Sequence, residues 1–111
     1  MNMEVRNEQK NVVLVSCPPK PEIDEKLEAL IIVMRKETTN LVVDFSGVDI
    51  ITASNISMLL ILRKLLEDKG HKLILSGISS KIKNLFVITE LHQTFEFIED
   101  KSTALTTFNV A

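Results

Sequence analysis

The chain has 111 residues, 45% of them hydrophobic and 25% charged, with a formal net charge of −2. That is enough apolar material for a globular domain to bury a core without disulfide or metal staples. The slightly acidic balance excludes general attraction to nucleic acid or to an anionic membrane. A single cysteine excludes an internal disulfide, and with only His71 and His92 beside it no metal-ligand set can be assembled, so neither metal nor cofactor is expected.

The opening MNMEVRNEQK lacks the apolar centre of a secretory leader, and no apolar run reaches membrane-spanning length, so a cytoplasmic protein with one domain over 1–111 is expected. Met3 to Arg6 reads as an edge strand and Asn11 to Ser16 as a strong strand, with the polar run Asn7 to Lys10 as their hairpin turn. Cys17-Pro18-Pro19-Lys20-Pro21 continues neither regular structure, because each proline removes a donor and restricts its predecessor. Pro21 fits the first position of a helix whose acids Glu22, Asp24 and Glu25 come early and whose bases Arg35 and Lys36 come late. Ile23, Leu27, Leu30, Ile31 and Met34 share its apolar face.

Leu41 to Leu66, LVVDFSGVDIITASNISMLLILRKLL, is the stretch around which the rest is arranged. Leu41 to Phe45 has the β-branched and aromatic character of a strand buried on both faces, and Ser46-Gly47 stops it. After a second apolar step, Val48 to Ile51, come the small residues Thr52-Ala53-Ser54-Asn55, and then an apolar run from Ile56 to Leu66 that is too long for a strand. That run reads as a largely buried helix, with Leu59 or Leu60 in the core. Thr52 and Ser54 therefore sit where unpaired N–H groups and the positive end of the helix dipole favour a negative group, which makes them candidate phosphoacceptors. The same residue types are also what any N-cap requires, and spacing alone favours the cap.

Gly70 is a natural stop for this helix, Lys72 to Ser76 is the next strand and Gly77 breaks it. Ser79 or Ser80 caps a helix from Lys81 to about Thr89, with Ile82, Leu85, Phe86 and Ile88 as its apolar face. Phe95-Glu96-Phe97 alternates as a short last strand ending in Ile98, and Asp100 is placed to cap a last helix that buries Ala104, Leu105 and Phe108. The order β-β-α-β-α-β-α-β-α predicts an α/β fold with a mixed sheet of about five strands, about four helices and right-handed crossovers.

Other chemistry-bearing residues are read by their surroundings. Asp44, ending the buried strand, and Asp49 approach the hydroxyl cluster, but without a partner group or pocket Asp44 is expected to pair with local backbone N–H groups. Cys17 has no cationic neighbour to activate it and reads as a small packing residue. His71 and His92 read as solvated loop residues, and Lys81 and Lys83 as a solvated helix face. No glycine-rich nucleotide motif is present, and no residue set supports an enzyme.

The pattern from Leu41 to about Phe97 resembles the STAS domain, the fold of bacterial anti-sigma factor antagonists. In that family a strand ending in Asp-aliphatic-Ser-Gly leads to Asp-Ser-Ser-Gly at a helix N-terminus, where the second serine is phosphorylated. Here Val43-Asp44-Phe45-Ser46-Gly47 matches the strand, and Thr52, Ala53, Ser54 and Asn55 stand at the elbow. Thr52 replaces an acid, Asn55 replaces a glycine, and Glu90 stands where many members have glycine. The resemblance implies a non-catalytic regulator that binds a serine kinase/anti-sigma factor through Asp44, Thr52, Ala53, Ser54, Asn55 and Ser57. Phosphorylation of Ser54, with Thr52 as the alternative, then weakens binding. Ser54 is expected to be the most exposed hydroxyl, with Thr52, Ser46 and Ser57 hidden to differing degrees. The alternative is a constitutive STAS subunit of a membrane lipid-transport ATPase or a signalling scaffold.

Overall fold

The computed structural model describes residues 5–7 and 11–108. In chain order the elements are β1 (Val5–Asn7), β2 (Val12–Ser16), α1 (Glu22–Lys36), β3 (Asn40–Asp44), α2 (Ala53–Glu67), β4 (Leu73–Ser76), α3 (Ser80–Ile88), β5 (Glu96–Ile98) and α4 (Lys101–Thr106). The five strands form one sheet in sequence order. β1 runs antiparallel to β2, and every later pair is parallel. The expected mixed α/β architecture is thus observed. Of the expected N-terminal hairpin, Met3, Glu4 and residues 8–10 lie outside the described residues.

Side-chain alternation along β2, β3 and β4 feeds two cores. Val13, Val15, Leu41, Val43, Leu73 and Leu75 pack under α1, α2 and α3, whereas Val12, Leu14, Val42 and Ile74 face Ala104 of α4. Helices on both faces explain why the central strands are apolar without interruption. On α1 the five residues expected at its apolar face are all buried, and on α2 the buried series is Asn55, Ile56, Leu59, Leu62 and Leu66. Cys17 is buried in the larger core, consistent with a packing role.

The helix ends follow local chemistry. Pro21 proves to be the N-cap of α1, so the helix begins at Glu22, one residue later than expected. Asp100 caps α4 by accepting from the Thr103 N–H, and this backbone bond, together with the Thr103 side chain, holds the Asp100 carboxyl below the usual carboxylate range. Gly70, at φ 77, lets the His71 N–H turn back onto the Leu66 carbonyl. α3 ends in the same way through a residue with a Cβ: Glu90 has φ 61, and the Leu91 N–H reaches the Phe86 carbonyl at 2.8 Å. A left-handed conformation costs an L-residue about 1–2 kcal/mol relative to glycine. Glu90→Gly is therefore expected to raise stability by about 1 kcal/mol in a denaturant melt.

Three surface expectations are corrected. Ile88 is 77% exposed, because two residues beyond the buried Phe86 the helix has turned about 200° from the core. His71 and His92 are half-buried, and the Nδ1 atom of each lies shielded from solvent with no hydrogen-bond partner among the described residues. Lys83 is not simply solvated, since its ammonium sits 3.8 Å from the centre of the Phe97 ring, a favourable cation–π geometry.

Candidate functional site

The parallel register aligns Ser16, Asp44, Ser76 and Ile98 across the carboxyl ends of four strands. Asp44 is buried, and its Oδ1 accepts from the Ser76 hydroxyl at 2.8 Å and the Ser46 hydroxyl at 3.0 Å. The expected pairing with backbone N–H groups is thus replaced by two serine hydroxyls, one contributed by the neighbouring strand. The chain leaves the sheet at Phe45 and turns, with the Val48 N–H bonded to the Phe45 carbonyl. Buried Val48 and Ile51 hold the loop down, while Ile50 between them is 53% exposed.

Gly77 closes this polar shelf. It has φ +66, and a Cβ there would lie 2.4 Å from Ser46 Oγ and 2.8 Å from Asp44 Oδ1. Both the left-handed conformation and the contact exclude a side chain. Gly77→Ala is expected to lose at least about 2 kcal/mol of unfolding free energy. Gly47→Ala, with nothing within 4 Å of its Cβ, should stay within about 0.5 kcal/mol of the parent in the same melts.

The elbow itself is a reciprocal cap. The Asn55 N–H donates to Thr52 Oγ1 at 3.1 Å, and the Thr52 N–H donates to Asn55 Oδ1 at 2.9 Å. Asn55 Nδ2 also donates to Asp24 Oδ1 on α1, so one buried amide joins the first turns of two helices. Ile56 begins the intrahelical ladder by donating to the Thr52 carbonyl. Of the four N–H groups that a helix start leaves without an intrahelical acceptor, the cap takes two, and those of Ala53 and Ser54 remain. α2 has no acid in its first turn, whereas α1 has Glu22, Asp24 and Glu25.

Accessibility divides the expected site residues. Ala53, Ser54 and Ser57 are exposed, Thr52 is half-buried, and Asp44 and Asn55 are buried. Asp44 therefore supports the elbow from behind, and Asn55 faces α1. Ser46 and Ser57 are exposed too, contrary to the expectation that burial would set Ser54 apart. What distinguishes Ser54 is its second helical position, beside free N–H groups. The Ser46 hydroxyl is held by Asp44, and Ser57 lies beyond the first turn. Asp49 is exposed and, with Ile50, Ile51, Lys81, Ile82 and Leu85, lines a hollow of about 160 Å³ beside the elbow.

Sequence reasoning missed Ser76, Gly77 and Asp24 as parts of this site. Asp24 meets Asn55 across 31 residues of chain, and no local pattern carries that pairing. Among the described residues no group of acids, histidines and cysteine is placed to hold a metal ion, and no helix is long and apolar enough to cross a membrane.

Comparison with known proteins bears on this geometry. A model of the STAS domain family matches residues 20–104. A structure of an anti-sigma-factor antagonist (STAS) domain protein from Planctomyces limnophilus superposes with a TM-score of 0.78 at 17% identity, covering 96% of each chain. A Thermotoga maritima protein described as a candidate anti-sigma factor antagonist gives 0.80 at 13% identity, covering 96% of this chain and 92% of that one. A sulfate transporter family protein from Wolinella succinogenes gives 0.74 at 17% identity, covering 96% and 89%. At these identities the likeness is one of fold. No curated protein matches the sequence.

Proposed function

The chain belongs to the STAS domain family, and from that premise we propose that it is an anti-sigma factor antagonist-like regulator. In this reading it is a non-catalytic cytoplasmic protein that binds a serine kinase/anti-sigma factor through the α2 elbow and is released by phosphorylation of Ser54. The observation that carries the proposal is the position of Ser54: exposed, second in α2 and beside two N–H groups that the cap leaves unused. A dianion there gains about 0.3–1 kcal/mol from the helix terminus, so the fold tolerates the modified state. Thr52 is the weaker acceptor because its hydroxyl is engaged as the cap. Exposed Ile50 and the adjoining apolar hollow supply surface that a partner can dry.

Phosphosite mapping of the natively expressed protein tests this reading. Label is expected on Ser54 and should vanish in Ser54→Ala while partner binding persists. Label confined to Thr52 or Ser57 would remove its support. A second reading, a constitutive STAS subunit of a membrane transport assembly such as a lipid-transport ATPase, is favoured by Thr52 and Asn55 standing where the family has an acid and a glycine. It predicts no label at the elbow and co-purification with membrane components.

A further inference from the structure

The Asn55 amide joins two things that the phosphoacceptor reading leaves unconnected, the α2 elbow and the first turn of α1. Its Oδ1 is used inside the cap and its Nδ2 on the Asp24 carboxylate. Asn55 is fully buried, so water does not replace either bond without local opening. Asp24 belongs to an acidic first turn with Glu22 and Glu25, and Ser54 immediately precedes its partner Asn55 in the chain. Like charges brought to one helix start repel, and partial burial weakens the screening between them.

We infer that Asn55 and Asp24 form a clip between α1 and α2 that a phosphate on Ser54 opens, so that modification of the elbow is transmitted to α1. The inference rests on the reading of Ser54 as the phosphoacceptor and adds its structural consequence. Asp24 acts here as a positioning residue. Uncharged, it would still accept from Asn55 but would no longer repel the dianion. The Asn55 side chain is the route, because its Nδ2 donates to the Asp24 carboxylate across the two helix starts. Phosphorylation would thereby alter a surface on α1 as well as the elbow.

The test uses the whole chain with phosphoserine installed at position 54 during translation, so it does not depend on any kinase acting on this protein. Amide hydrogen exchange is followed by NMR at Lys26 and Leu27 in α1 and at the Asn55 side-chain amide. Phosphoserine is expected to speed exchange at all three by about tenfold or more in the parent chain. In Asp24→Asn, which keeps an acceptor for Asn55, phosphoserine should leave exchange near its unmodified rate. In Asn55→Gly the α1 amides should already exchange fast, with phosphoserine adding nothing. Unchanged exchange in the phosphorylated parent chain, or equal acceleration in Asp24→Asn, would overturn the clip. Absence of Ser54 label in cells, by contrast, would count against the phosphoacceptor reading alone.

Discussion

Leu59→Ala is expected to lose roughly 2–5 kcal/mol of unfolding free energy, while Leu60→Ala loses distinctly less. Leu59 has no exposed surface and lies in the larger core, whereas Leu60 only packs against the edge of that core. Removing three side-chain carbons at Leu59 gives up their transfer free energy and leaves a cavity that the sheet below is too rigid to fill. α2 packs on α1 as well as on the sheet, so the loss reaches the helix that presents Ser54. Paired denaturant melts check the contrast. Two losses of equal size would mean that the burial of α2 is misassigned.

Much of the fold is legible in the residues because each element combines several agreeing signals. β3 is β-branched and bounded by Ser46-Gly47, α2 follows a Thr that caps it, and Asp100 caps α4 as its spacing predicts. Local propensity and tertiary packing point the same way in these segments. What stayed hidden depends on register. Asp44 meets Ser76 across 32 residues, and only the pairing of β3 with β4 brings them together. The residue types at the elbow announce a cap, but the use of Asn55 toward α1 depends on how two helices cross. Likewise, the exposure of Ser46 and Ser57 follows from where the chain turns away from the sheet, which composition does not encode.

Ser54→Asp is the substitution expected to change function most while changing the fold least. An acid at the second position of α2 faces the positive end of the helix and two free N–H groups, so thermal stability should stay within about 1 kcal/mol of the parent. In an interface that excludes water and offers no cation, the same charge is desolvated without compensation, at a cost of several kcal/mol. A loss of about 2 kcal/mol or more corresponds to at least about thirtyfold in affinity. Thr52→Glu provides the contrast. It removes the hydroxyl that accepts from the Asn55 N–H and is expected to lower stability by about 1 kcal/mol through loss of the cap.

The most direct measurement is the affinity of the proposed kinase/anti-sigma partner, once purified, for two forms of this chain by titration calorimetry, one unmodified and one bearing phosphoserine at 54. A phosphate carries up to twice the charge of aspartate, so release by Ser54 phosphorylation predicts tight binding of the unmodified form and at least about a hundredfold weaker binding of the phosphorylated one. Equal affinities for the two forms, with both folded, would contradict an antagonist switch at Ser54.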